Sequence, residues 1–222
     1  MSDIVEKIAY CVEFGKIDEK SPYPPNMRGE LGADELTKQA IEQGIDPDEI
    51  LNNGMVVGMD KVGQKFSENK IFVPQMLMSA KAMSTAMEHI KPFFQAGTVK
   101  RKGKFVVGTV AGDLHDIGKN LVAMMVEGAG WEVIDLGVDV GAPKFIETIK
   151  EHPGCAIGLS ALLTTTMVNM ESIVTEIRKV AADTKILVGG APVSDDFCAK
   201  IGADNYSADP QGAVKYLNSL VA

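Results

Sequence analysis

From Phe105 onward the sequence alternates short, wholly apolar runs with amphipathic stretches, and this alternation limits the fold more than any other feature. The apolar runs fall at 105–110, 132–135, 155–160, 185–188 and, weakly, 203–206. Helical periodicity fills 117–129, 143–150, 166–181 and 195–201 and closes the chain at 210–220. Runs this short and this apolar do not suit a sheet with one solvated face. With a helix between each pair, they predict a parallel, doubly wound α/β sheet covered on both sides. Five strands make a flavodoxin-like order the expectation.

The first half has a different period. Helical spacing predicts helices at 3–14, 33–43, 47–66 with a break near 52–54, and 73–94. The last carries Met76, Ala80, Met83, Met87, Ile90 and Phe94 along one side, the stripe of a helix packed in a bundle. Prolines and a glycine make 21–29 a loop. The resulting division is a helical domain at 1–95, a polar, basic linker at 96–104 and an α/β domain at 105–222.

Composition excludes several classes. A chain of 222 residues that is 45% hydrophobic and 23% charged is that of an ordinary globular protein. Its net charge of −8 argues against nucleic acid as a partner, because phosphate binding needs a cationic face. No window approaches the roughly 18 apolar residues of a membrane helix, and the N-terminus lacks the basic and apolar segments of a secretory signal. Cys11, Cys155 and Cys198 are odd in number and far apart, which predicts buried free thiols and a cytoplasmic location.

The chemistry concentrates after the first strand, in Asp113, His115 and Gly118 of an Asp-x-His-x-x-Gly pattern. Strand-to-helix loops of an open α/β sheet line its ligand crevice, so His115 is expected to face a ligand. A phosphate-binding loop is excluded on spacing and charge. Five residues, not four, separate Gly112 from Gly118, Asn120 stands where a hydroxyl is required, and Asp113 and Asp116 repel phosphate. Nor does any strand lead into a Gly-x-Gly-x-x-Gly fingerprint. Taken alone, His115 fits either a structural hydrogen bond or a metal ligand, and Gly189-Gly190 reads as a turn. Spacing joins them: 41 residues separate Gly118 from Ser160-Ala-Leu162, and 26 more lead to Gly189-Gly190. An imidazole, a small hydroxyl and a side-chain-free pair then lie on three loops at one sheet edge.

These three blocks resemble the corrinoid-binding family, at the family's spacing. The resemblance extends into the helical half, where Gly58 to Phe66 and Ile71 to Met76 are similar to the cap of methionine synthase and of corrinoid proteins in methyltransferase systems. It implies a cobalamin or related corrinoid, methylated in the carrier state, with His115 as the lower ligand to cobalt in place of the cofactor's own base. Asp113 then holds the other ring nitrogen, and such a carboxylate fixes the tautomer and raises ligand basicity. Gly118, Ser160, Leu162, Gly189 and Gly190 line the path of the displaced tail, Asp116 and Ile117 join them among the cofactor-binding residues, and Ser160 alternatively joins the His-Asp relay. Thr164 and the threonines after it either meet corrin amides or cap the next helix. Phe66, Val73 and Met76 match the cap's apolar contacts with the upper face, against a plain reading as bundle core. His89 and His152 have no such company and read as surface residues.

The resemblance implies a carrier that takes a methyl group from a substrate-specific methyltransferase. A second methyltransferase passes it to tetrahydrofolate or a thiol such as coenzyme M, and an ATP-dependent reductive activase restores the cobalt. Two rivals share the motif. One is the cobalamin subunit of a carbon-skeleton mutase, which needs no such cap; the other is a cobalamin-dependent light sensor, disfavoured as a DNA binder by the missing basic face.

Overall fold

A computed structural model of the chain describes residues 2–221. They form two compact units, one of residues up to Arg101 together with 128–130, the other of 102–127 and 131 onward.

The helical unit contains α1 (Asp3–Phe14), α2 (Ala33–Glu42), α3 (Pro47–Glu49), α4 (Val57–Ser67) and α5 (Val73–Gln95). Asp3 and Glu6 in its first turn complement the dipole of α1. Gly15, in the left-handed region at φ 72°, ends it with its N–H on the carbonyls of the last turn. The expected break near 52–54 is instead a π-helical stretch, Ile50–Val56, that joins α3 to α4 without interruption. Ile50, Leu51, Met55 and Val56 are buried there, and this burial outweighs the poor helix propensity of Asn52, Asn53 and Gly54. The 21–29 segment holds a short 3-10 turn, Pro25–Met27, and its Ser21 carbonyl accepts from the fully buried Lys16 ammonium at 3.1 Å.

The second unit alternates strand and helix: β1 (Lys104–Thr109), α6 (Ile117–Gly128), β2 (Glu132–Asp135), α7 (Ala142–Glu151), β3 (Ala156–Ser160), α8 (Thr164–Val180), β4 (Ile186–Gly189), α9 (Asp195–Ile201), β5 (Asn205–Ser207) and α10 (Pro210–Ser219). The five strands are all parallel in the order β2-β1-β3-β4-β5, the flavodoxin-like arrangement expected from the sequence. The order reverses between β1 and β3, so the crevice of the sheet opens where the loops after these two strands diverge.

The two faces of the sheet are filled differently. Val106, Ile157, Leu159, Ile186 and Val188 pack one face against Phe145 of α7, Met170 and Ile173 of α8 and Ile201 of α9. The other face, beneath α6 and α10, presents Phe105, Val107, Gly158 and Leu187 to a cavity of about 760 Å³. Gly158 is part of the reason for the space, since a β-carbon there would stand 2.4 Å from Cζ of Phe105. No helix among the described residues is long and apolar enough to cross a membrane.

Candidate functional site

The β1–α6 loop is braced before it reaches His115. The Thr109 hydroxyl, at the end of β1, donates to the His115 carbonyl at 2.9 Å. Asp139 accepts from the Gly112 amide at 2.7 Å and donates its own N–H to the Asp113 carbonyl at 3.1 Å. From α8, the Asn169 amide nitrogen reaches the Ala111 carbonyl at 2.7 Å. Neighbouring elements thus fix the backbone that carries the histidine, which holds the ring in place more firmly than a free loop would.

Asp113 is completely buried and is the centre of a hydrogen-bond knot. Its Oδ1 accepts from the His115 backbone N–H at 3.0 Å and stands 2.8 Å from His115 Nδ1. Its Oδ2 accepts from the Leu162 N–H at 2.8 Å, the Leu163 N–H at 3.4 Å and the Thr166 hydroxyl at 2.6 Å. Burial alone would raise the carboxyl's pKa. The donors from Thr166, Leu162 and His115 outweigh it and hold the group well below the usual carboxylate range. An ionised Asp113 keeps the imidazole proton on Nδ1, and the neutral ring then offers its lone pair at Nε2. The His115 side chain is half exposed and lies at the cavity.

The hydroxyl that donates to Asp113 is that of Thr166. Thr166 stands in the first turn of α8, and the amides of Leu162 and Leu163 converge on the same carboxylate oxygen from the preceding loop. Ser160 ends β3 and lines the cavity. The clue in the sequence was the triple threonine at a helix start, whose local capping role hid a contact with a residue 53 positions earlier.

His115, Asp116, Ile117, Gly118, Ser160, Leu162, Gly189 and Gly190 all border the one cavity. Gly190 is required by the fold itself. Its φ of +126° suits glycine, and a β-carbon would come within 1.8 Å of the Ala161 carbonyl oxygen. Gly118 is the opposite case: an added β-carbon meets nothing within 4 Å and would simply occupy the cavity. Thr164 is exposed at the start of α8 and does not line the cavity. Phe66, Val73 and Met76 lie on α4 and α5 of the helical unit, the first two half-buried and Met76 only 1% exposed. The open apolar side chain at the start of α5 is Phe72. His89, expected at the surface, is half-buried with Nε2 2.6 Å from Asp34 of α2, while His152 caps α7 in a turn. The three cysteines are buried, and burial pushes the Cys11 thiol up to about 11.

The site fits a corrinoid on its own geometry. It combines a braced imidazole with a free Nε2, a carboxylate on the opposite nitrogen, and an apolar cavity of ligand-binding size beginning beside the ring. The B12 binding domain family matches residues 103–214, and a second B12 binding domain family matches residues 30–91. The chain is 41% identical to trimethylamine corrinoid protein 1 of Methanosarcina acetivorans over 86% of its own length and 90% of that protein's. It is 38% identical to dimethylamine corrinoid protein 3 of the same organism, over 84% and 90%. Among solved structures, the methanol:cobalamin methyltransferase complex MtaBC from Methanosarcina barkeri superposes with a TM-score of 0.82 at 28% identity, covering 99% of this chain and 80% of that one. A cobalamin-binding protein from Desulfitobacterium hafniense gives 0.75 at 30% identity, with 98% of each chain covered.

Proposed function

Since the chain belongs to the family of corrinoid proteins with B12 binding domains, we propose that it is the methyl-carrying subunit of a corrinoid-dependent methyltransferase system. The observation that carries this reading is the buried Asp113 on Nδ1 of His115, with Nε2 left free at the mouth of an apolar cavity. A bound corrinoid supplies the cobalt that accepts a methyl group and gives it up. His115 would hold the corrinoid's cobalt through Nε2. Asp113 compensates the imidazolium when Nε2 takes up a proton, and Thr166 holds the carboxylate in place. Gly118, Ser160, Leu162, Gly189 and Gly190 give the nucleotide tail its path. The helical unit serves as the lid, with Phe66, Val73 and Met76 as its apolar contacts, and must open for each transfer.

The names of the relatives support a methylated amine or methanol as donor. The donor is recognised by a substrate-specific methyltransferase, and a second methyltransferase delivers the group to tetrahydrofolate or a thiol such as coenzyme M. An ATP-dependent reductive activase rescues oxidised cobalt. In the test, corrinoid-loaded protein is mixed with an amine-specific or a methanol-specific methyltransferase and isotopically labelled donor, and desalted. Label that travels with the chain and then moves to the acceptor is the expected result; label that never associates with it contradicts the carrier role.

A further inference from the structure

We infer that Asp139, on the loop after β2, is a positioning residue for His115: it clamps the turn that carries Asp113, and through that carboxylate it keeps the imidazole proton on Nδ1. This rests on the reading that His115 works through Nε2, and it adds the residue on which that geometry depends.

The chain leaves β1 in a tight turn, closed by the Asp113 N–H on the Val110 carbonyl at 3.1 Å and made possible by Gly112 at φ 81°. Two groups of this turn, the Gly112 N–H and the Asp113 carbonyl, find their partners in Asp139. The first is accepted by its Oδ1 at 2.7 Å, and the second accepts from its N–H at 3.1 Å. Beside it, the Val140 N–H is held by the Thr109 carbonyl at 2.9 Å, and Val140 pairs with Val110 as an extra rung after β1. The clamp is therefore anchored to the sheet on one side and to the turn on the other.

Asp139 holds this place at φ 56°, one of two non-glycine residues with a positive φ among those described. Such a backbone strains an L-residue, and glycine takes it freely, as Gly137 does two positions earlier at φ 84°. An aspartate tolerates it because its short carboxylate can reach a nearby N–H. Here that N–H belongs to the loop of His115 and not to its own segment. Asp139 is exposed and does not line the cavity, so it acts through Asp113. Asp113 is held at Oδ2 by Leu162 and Thr166 and at its carbonyl by Asp139, and with both ends fixed its Oδ1 stands 2.8 Å from His115 Nδ1. Without the carboxylate at 139, the turn is free to shift against the fixed partners of Oδ2. The Asn169 contact with Ala111 and the Thr109 contact with His115 lie on either side and keep the loop folded. The loss then falls on the alignment of Asp113 with the ring.

Nitrogen NMR of the corrinoid-free full chain carrying ¹⁵N-histidine reads the tautomer of His115, at a pH where the ring is neutral. Its signals are identified by their absence in His115→Ala. A free neutral imidazole favours the proton on Nε2, and the parent protein is expected to hold it on Nδ1. Asp139→Gly keeps the left-handed backbone and removes the acceptor. It is expected to lower the ratio of Nδ1–H to Nε2–H about three- to ten-fold, the factor carried by one hydrogen bond. Asp139→Asn retains both an oxygen acceptor and tolerance of this backbone, and is expected to restore the parent ratio. Circular dichroism checks that both variants fold. A merely structural residue would shift the unfolding midpoint and leave the tautomer alone. A ratio unmoved in folded Asp139→Gly, or moved as far in Asp139→Asn, overturns the inference. An unfolded Asp139→Gly overturns it too, by showing that the clamp holds the fold and not the ring. These results leave the carrier reading intact, because no corrinoid enters the measurement. A parent that holds the proton on Nε2 overturns the inference together with the assignment of Nε2 as the free nitrogen.

Discussion

Each unit of the molecule holds a carboxylate below its usual range, and they do so by different means. In the helical unit, Glu13 lies between Lys61 at 3.1 Å and Lys65 at 2.5 Å. Burial works against its ionisation, and the two ammonium groups outweigh it. In the α/β unit, Asp113 is held instead by N–H groups, a hydroxyl and an imidazole. The Glu13 cluster is complete in itself, because its cations end on the carboxylate and, for Lys65, on the Phe14 ring at 4.4 Å. The Asp113 cluster ends on an imidazole whose other nitrogen is unused. A carboxylate held by fixed dipoles, with a ring for an outlet, can tune a ligand; one held by ammonium groups can only tie helices together.

The largest effect separating the two clusters is expected from Asp113→Ala. It leaves buried donors without an acceptor and is predicted to cost about 3 kcal/mol or more, read from the urea transition of Trp131 fluorescence. Corrinoid affinity should fall by about ten- to a hundred-fold with it, as for other lost carboxylate partners of metal-bound histidines. Gly118→Leu should separate stability from binding. Its side chain enters open cavity, so the unfolding free energy should change by about 0.5 kcal/mol or less, while corrinoid uptake is lost. If uptake survives, the tail path lies elsewhere.

Thr166→Val removes one donor from Asp113 and is expected to cost about 1 kcal/mol. Ser160→Ala, which leaves the carboxylate's partners in place, should cost less. The reverse ranking would return the relay to Ser160.

Glu13→Gln is expected to cost about 0.5–1 kcal/mol at neutral pH and nothing in corrinoid binding. Its pKa is lowered in the folded protein, so the stabilisation is present above the ordinary glutamate value of 4.5 and is lost as pH falls through the lowered one. The difference between variant and parent in urea midpoint should therefore shrink on acidification. It should leave the spectrum of a bound corrinoid unchanged; an altered spectrum would break the contrast between the clusters.

Much of this was legible in the sequence because it rests on local pattern. The strand runs and helical stripes lie within one or two residues of the observed elements, as at β2 and α9. His115 and Asp113 stood out because one short loop carries both. What escaped depends on contacts between distant segments. Thr166 reaches Asp113 only because β3 and β1 are neighbours in the sheet. The helix at 50–56 survives its glycine only because its flanking side chains are buried. Gly190 and Gly118 look alike as letters, yet at one a β-carbon would meet a carbonyl oxygen at 1.8 Å and at the other it would meet open space.

The central claim, that His115 presents Nε2 as the lower ligand, is tested most directly by electron paramagnetic resonance of the cobalt(II) corrinoid bound to protein carrying ¹⁵N-histidine. Coordination by His115 predicts that the three-line nitrogen splitting of the cofactor's own ¹⁴N base is replaced by the two-line splitting of ¹⁵N, and that His115→Ala abolishes it. A persistent three-line pattern in the labelled protein, or a two-line pattern unchanged in His115→Ala, would contradict the assignment.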